Sequence, residues 1–112
     1  MLLETNKIRA YLGFCIRSGK IVYGVDGIAE HRKKAHLVMA DGDLSENSLK
    51  ALCKERERFG CPMIVTQKGL LGELLCKPAV KAVAIREKNL ALAIISAAEG
   101  NPQFNFYSGG NN

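Results

Sequence analysis

A chain of 112 residues that is 47% hydrophobic and 24% charged fits one globular domain and is not a disordered segment. No apolar run approaches the ~20 residues of a membrane-spanning helix, and the first residues lack the pattern of a signal peptide, so we expect a cytoplasmic protein. Sixteen Lys and Arg residues against eleven Asp and Glu leave a net charge of +5, which favours an acidic partner.

The first half of the chain predicts two helices, each followed by a short strand. Apolar residues at three- and four-residue steps predict a first helix that ends near Ser18. The strand 21–23 follows, and then a second helix that stops around Lys34. A continuous apolar run at 37–40 is typical of a strand that is covered on both faces.

The second half repeats this alternation. Apolar runs at 63–65 and 82–85 predict two further strands, and Gly60 is a fitting C-cap for the helix before them. Side chains suited to cap the N-termini of the third, fourth and fifth helices are those of Ser45, Thr66 and Asn89.

Helices that alternate with short apolar strands indicate an α/β fold in three layers, with the sheet between two layers of helices. We assign residues 1–100 to one domain and residues 101–112 to a polar, glycine-rich C-terminal tail. This tail is either mobile, with its three aromatic side chains available to stack on nucleobases, or docked on the domain through them; docking is favoured.

The patterns required for catalysis or for a bound metal are missing. The triplet Ser18-Gly19-Lys20 contains the Gly-Lys pair of a phosphate loop, but it is followed by Ile21, whereas a phosphate loop needs Ser or Thr there. Gly24 and Gly27 lack the preceding glycine of a dinucleotide site. The four cysteines form no C-x-x-C pair and the two histidines lie five residues apart. We therefore expect no enzyme activity, no cofactor and no metal.

Two stretches of the chain resemble a known family. Residues 12–24 read LGFCIRSGKIVYG. Residues 34–47 read KAHLVMADGDLSEN, which resembles the pattern K-A-x-L-V-hydrophobic-A-x-D-x-S-x-N with one additional residue between Ala40 and Asp43. Shorter matches follow in the same order at 62–65, 71–72 and 83–85. From about Leu3 to Ala98, the chain resembles the ribosomal-protein family L-seven-Ae / L-thirty-e, whose members include kink-turn RNA binders.

The resemblance implies a four-stranded mixed sheet and a non-enzymatic protein that binds structured RNA, ribosomal or another kink-turn RNA. It places the RNA site at the start of the second helix and in the loop before the last strand. Lysines and arginines near these segments are expected to contact the RNA backbone. The expected RNA-binding residues are Arg17, Lys20, Gly24, Val25, Asp26, Gly27, Arg32, Lys33, Lys77, Pro78, Ala79, Val80 and Lys81.

The chain departs from the family at several of these positions. Val25, Asp26 and Gly27 stand where strong kink-turn binders resemble T-N-E, so Gly27 offers RNA only its backbone. Glu30 and Glu73 stand where the family has cations that would meet phosphate. These departures motivate an alternative function, a protein-interaction module that kept the fold and lost RNA recognition.

Overall fold

The computed structural model describes residues 3–107, which form five helices and five strands in alternation. The prediction of an α/β fold is confirmed. In chain order the elements are α1 (Leu3–Arg17), β1 (Ile21–Tyr23), α2 (Val25–Glu30), β2 (Leu37–Asp41), α3 (Glu46–Phe59), β3 (Met63–Thr66), α4 (Leu70–Leu75), β4 (Ala82–Ile85), α5 (Lys88–Ala98) and β5 (Phe104–Phe106).

The strands form one mixed sheet in the order β1-β4-β2-β3-β5, in which β2 and β3 are parallel and the other pairs are antiparallel. The expected four-stranded sheet is therefore wrong by one strand. The fifth strand comes from the segment assigned to the tail, where Phe106 pairs with Ile64 of β3. Asn105 interrupts its apolar residues and polar residues precede it, so the sequence did not reveal it as an apolar run.

Successive residues of the strands point to opposite faces of the sheet and enter two separate cores. Leu37 and Met39 of β2 pack with residues of α1, α4 and α5. Val38 and Ala40 pack with residues of α2 and α3. Helices therefore cover both faces, and the central strands β2 and β4 are almost wholly apolar because both of their faces are buried.

The segment after α5 is attached to the domain through both its backbone and its side chains. Phe104 is 4% exposed and belongs to the same core as α1 and α5. Asn101 Nδ2 donates to Thr5 Oγ1 at 2.9 Å, and this hydroxyl donates to Gln103 Oε1 at 2.7 Å. The described part of the segment ends with Tyr107, whose N–H donates to the carbonyl of Met63. The remaining residues assigned to the tail, 108–112, lie outside the described range.

Two of the predicted helix caps are wrong. Ser45 caps α3, and Gly60 ends that helix in the left-handed conformation, as expected. Thr66 instead belongs to β3, and Gly69 precedes α4. The N-cap of α5 is Glu87 rather than Asn89, because its carboxylate accepts a hydrogen bond from the first turn.

The second helix ends at Glu30, four residues before the predicted stop near Lys34. His31 has an extended backbone, and the Lys34 ammonium donates to the carbonyl of Phe59 at the end of α3. The basic run that follows α2 is therefore a loop rather than the last turn of a helix.

Candidate nucleic-acid interface

Strand β1 ends at Gly24, where the chain turns into α2. Gly24 has φ of 80° and ψ of 154°, a backbone conformation that is open essentially to glycine alone. Its N–H donates to the carbonyl of Ala82 at 2.8 Å, and its own carbonyl accepts from the N–H of Ile28 at 3.0 Å. A Cβ at this position would have no atom within 4 Å. The glycine is thus required by conformation and not by crowding, and the outer side of the turn is open.

Asp41, at the carboxyl end of β2, holds the neighbouring loops together. Its carboxylate is 1% exposed and accepts from the backbone N–H groups of Asp43 at 2.9 Å, Gly69 at 3.0 Å and Leu71 at 3.1 Å. Thr66 Oγ1 lies 3.3 Å from the same carboxylate. Burial raises the pKa of Asp41, but the three backbone hydrogen bonds outweigh burial and hold it below its ordinary value.

Asp41 was not among the residues expected at the site, although the sequence contains a signal for it. It is the acidic residue that directly ends a continuous apolar strand. A carboxylate in that position is buried unless it turns outward, so it needs hydrogen-bond donors from adjacent loops. Its role is to fix the loops around the candidate site rather than to contact a ligand.

The loop 77–81 lies next to the turn at Gly24 and packs closely against α4. A Cβ on Gly72 would be 2.9 Å from Pro78 Cα and 3.0 Å from the carbonyl oxygen of Lys77, so glycine is needed for this approach. Pro78 and Ala79 are exposed, whereas Val80 is partly buried against the core of α1, α4 and α5. The predicted apolar centre of the loop therefore has an outward part and an inward part.

The two lysines of this loop are both placed near the end of β1 and β2. The ammonium of Lys77 lies 5.6 Å from the ring centroid of Tyr23, which is 37% exposed. Lys81 Nζ lies 3.4 Å from Asp43 Oδ2, in an exposed ion pair. The backbone carbonyl of Lys81 accepts from the N–H of Asp41, which fixes the start of β4.

Of the three residues 25–27 at the start of α2, one has an exposed side chain. Asp26 is exposed. Val25 is partly buried against the core of α2 and α3. Gly27 faces β1, since a Cβ there would contact Val22 Cγ1 at 3.5 Å. We call Gly24, Asp26 and the loop 77–81 the Gly24 edge.

The strand register places the start of β1 at the opposite end of the sheet. Ile21 pairs with Ile85, which also pairs with Leu37, so the segments before β1 and β2 and after β4 meet at one end. The N–H of Arg86 donates to the carbonyl of Lys20 at 2.8 Å. With a rise of ~3.3 Å per residue, an extended β1 puts Lys20 about 13 Å from Gly24.

Four of the expected RNA-binding residues therefore lie away from the Gly24 edge. We call their end of the sheet, made by residues 17–20, 31–36 and 86–88, the Lys20 edge. The structure brings together the expected residues in α2 and in the loop 77–81, but it does not join them to the other four. The four residues at the Lys20 edge are Arg17, Lys20, Arg32 and Lys33, all exposed.

Cations converge at the Lys20 edge. Arg86 Nη1 donates to the carbonyl of Gly19 at 3.2 Å, and Arg58 Nη1 donates to the carbonyl of His31 at 3.0 Å. Burial lowers the pKa of His31, and the positive charges of Arg86, Arg58 and Lys33 lower it further. Within residues 3–107, Arg58 is the one cation of this group that forms an ion pair, with Glu55.

Glu73, one of the residues that departs from the family pattern, has a cationic partner. Its Oε2 lies 3.3 Å from Arg9 Nη2, and the carbonyl of Glu73 accepts from Arg9 Nη1 at 3.1 Å. Both side chains are exposed, so the pair adds little stability. The negative charge of Glu73 is nevertheless offset locally, which lowers its repulsion of a nearby phosphate.

Comparison with known proteins gives the fold and no family. No family model matches the chain, and no curated protein matches it. Among solved structures, the chain is similar to a protein with unknown function from Bacillus halodurans, with a TM-score of 0.68 and 17% identity, over 81% of this chain and 95% of that one. At this identity the likeness concerns the fold alone.

Among residues 3–107, each helix is too short or too polar to span a membrane. No group of three or more His, Cys, Asp or Glu side chains in the same range could hold a metal ion.

Proposed function

We propose that this protein binds structured RNA of the kink-turn type through the Gly24 edge, as a non-enzymatic ribosomal or ribosome-associated protein of the L-seven-Ae / L-thirty-e kind. The observation that carries the proposal is the position of the Gly24 turn beside the lysine-flanked loop 77–81. These are the two segments that the family resemblance assigns to RNA. The net positive charge of the chain supports the same class of ligand.

Each part of the Gly24 edge has a distinct role in this proposal. Gly24 lets the RNA approach the backbone, since no Cβ projects from the turn. Asp26 accepts a hydrogen bond from a guanine or cytosine amino group. Lys77 and Lys81 contact phosphates and set affinity rather than sequence preference. Pro78 and Ala79 form an exposed apolar surface for a base turned out of its stack.

The test is a titration of a fluorescently labelled kink-turn RNA with the whole chain at several salt concentrations, read by anisotropy. We expect saturable binding at low salt that is tighter than binding to a plain duplex of the same length. Lys77→Ala removes one phosphate contact, so it should weaken binding several-fold and reduce the slope of log K against log salt by about one.

Lys54→Ala is the matched control, because Lys54 is an exposed lysine on α3 and is not among the residues of the Gly24 edge. It removes the same charge and should leave affinity for the kink-turn nearly unchanged. Lack of saturable binding at low salt, or an equal loss of affinity in Lys54→Ala and Lys77→Ala, would contradict the proposal.

A protein-interaction module is the second candidate, and exposed acidic residues on α2 favour it. Asp26 and Glu30 are both exposed on this helix, and both would repel a phosphate backbone. Purification without nuclease separates the two functions. A discrete protein partner without nucleic acid favours the interaction module, whereas a high ratio of absorbance at 260 to 280 nm favours RNA.

A further inference from the structure

A groove at the Lys20 edge combines apolar walls, cations and one carboxylate. It has a volume of about 420 Å³ and lies between the end of α1 and the start of α5. Its lining consists of Phe14, Arg17, Ser18, Lys20, Glu87 and Leu90. The groove is separate from the Gly24 edge and contains neither of that edge's lysines.

Phe14 forms an exposed aromatic wall. Its side chain is 50% exposed, so much of the ring is accessible to a ligand. The guanidinium carbon of Arg17 lies 4.8 Å from the ring centroid of Phe14, so cation and ring form one surface. Leu90 supplies a second apolar contact from α5.

The charged groups of the groove are available to bind a ligand. Arg17 and Lys20 take part in no ion pair within residues 3–107. Glu87 Oε2 accepts from the N–H of Leu90 at 2.7 Å, which orients the carboxylate as the N-cap of α5. Its other oxygen, Oε1, accepts no hydrogen bond from the described residues. The groove thus offers cations for an anion and one oriented acceptor for an N–H group.

We propose that this groove binds one unstacked guanine nucleotide of single-stranded RNA. The base contacts Phe14 and Leu90, and its N1–H and N2–H groups donate to the Glu87 carboxylate. Guanine is the base that places two such donors side by side, whereas adenine and cytosine present one amino group beside an acceptor. Arg17 and Lys20 meet the phosphates on either side.

Both proposals take RNA as the ligand, and in that respect the proposal for the groove rests on the proposed function. The residues that line the groove are entirely different from those of the Gly24 edge. A kink-turn bound at the Gly24 edge would bring its single-stranded flank to a second contact, about 13 Å away along β1. Binding at the groove is measured without any kink-turn, so the two proposals fail independently.

The experiment is an NMR titration of the ¹⁵N-labelled chain with two single-stranded RNA tetramers, UUGU and UUAU. We expect UUGU to shift the amide signals of Phe14, Ser18 and Leu90 in a saturable way. A carboxylate that accepts two base donors discriminates substantially, so UUAU should bind about tenfold more weakly. Signals of the loop 77–81 should remain in place with both tetramers.

Two variants test the roles of the groove residues. Phe14→Ala should weaken UUGU about tenfold or more through loss of stacking. Glu87→Gln retains an oxygen that can cap α5 but loses the charged acceptor, so it should abolish the preference for UUGU over UUAU. Leu92→Ala is the matched control for Phe14→Ala, since Leu92 is 53% exposed on α5 and does not line the groove. It should bind both tetramers as the unmodified chain does.

The inference is overturned by any of three results. The first is no shift of Phe14, Ser18 and Leu90 signals at millimolar UUGU. The second is equal affinity for the two tetramers in the unmodified chain. The third is an acidic peptide that shifts the same signals and binds with an affinity equal to or higher than that of UUGU, which would identify a protein ligand. Loss of kink-turn binding with retention of tetramer binding would contradict only the proposed function.

Discussion

The two ends of the sheet are built in different ways. At the Gly24 edge, the buried carboxylate of Asp41 accepts hydrogen bonds from three backbone N–H groups, and Gly72 allows a loop to touch α4. At the Lys20 edge, exposed cations surround loops that are held mainly by backbone hydrogen bonds. The first edge fixes a shape and the second concentrates charge. Substitutions in the buried framework of the first edge should therefore change stability, whereas those of exposed cations at the second should change it little.

The largest expected effect is that of Asp41→Ala. It leaves the N–H groups of Gly69, Leu71 and Asp43 without their acceptor, and the loss is most costly at Leu71, whose N–H is buried. We expect the free energy of unfolding to fall by about 3 kcal/mol or more. Urea denaturation at pH 7 measures it. Asp41→Asn keeps one acceptor oxygen and should lose less; an equal loss in both variants would show that the hydrogen bonds are not the cause.

The same carboxylate makes stability depend on pH. Because the pKa of Asp41 is lower in the folded chain than in the unfolded chain, its contribution is fully present above the unfolded value of about 4 and is lost as pH falls through the folded value. Urea denaturation between pH 7 and pH 3 should show this loss. Asp41→Asn should have a flatter profile in the acid range, and an unchanged slope in that variant would assign the dependence to other carboxylates.

Gly24→Ala should have the next largest effect. The backbone at Gly24 has a φ of 80° and a ψ of 154°, which a residue with a Cβ adopts only with strain, so we expect a loss of about 2 kcal/mol. Gly27→Ala is the control within the same turn, since its Cβ would make an ordinary contact with Val22. It should be neutral or stabilising by up to about 1 kcal/mol. Equal effects of the two substitutions would contradict the conformational explanation.

Cys76→Gly should stabilise the protein. Cys76 ends α4 with φ of 57°, and it is the one residue other than glycine with a positive φ in the described range. Glycine removes the steric cost of this conformation, worth about 1 kcal/mol. Cys53→Gly, in the interior of α3, should instead destabilise by about 1 kcal/mol. Thermal unfolding in a reducing buffer compares the two, and a loss of stability in Cys76→Gly would refute the prediction.

The smallest effects are expected at the Lys20 edge. Lys20→Ala and Lys33→Ala remove exposed cations that form no ion pair within residues 3–107, so each should change the free energy of unfolding by less than about 0.5 kcal/mol. Urea denaturation measures this as well. A loss above about 1 kcal/mol for either variant would mean that this edge is held by its side chains, and the contrast between the two ends would disappear.

The sequence predicted the elements that are long or wholly apolar. The strands at 21–23, 37–40, 63–65 and 82–85 are confirmed, because each is a continuous apolar run; in the central strands β2 and β4 this run reflects burial on both faces. Strand β5 was missed because it is an edge strand in which Asn105 interrupts the apolar residues and only Phe104 is buried. The cap at Glu87 was missed because glutamate is a less common N-cap than the nearby Asn89.

The sequence predicted part of the spatial arrangement of the expected residues. Gly24 and the loop 77–81 are neighbours in space, as the family resemblance implied, through the hydrogen bond from Gly24 to Ala82. Lys20 was grouped with Gly24 because the two are close in sequence. An extended strand between them places them at opposite ends of the sheet. The position of Asp41 at the end of an apolar strand signals that its carboxylate needs donors, but the donors could not be identified from the sequence, since they come from residues up to thirty positions later in the chain.

The hydrogen bonds that join Thr5 to Asn101 and Gln103 also determine when this protein can fold during synthesis. They connect residues separated by 96 and 98 positions, and α1 shares its core with α5. During synthesis, α1 therefore cannot complete the burial of its apolar side until α5 and residues 101–104 have been made. Until then, Ile8 and Leu12 stay exposed to solvent or to chaperones, and in that interval the nascent chain is vulnerable to aggregation.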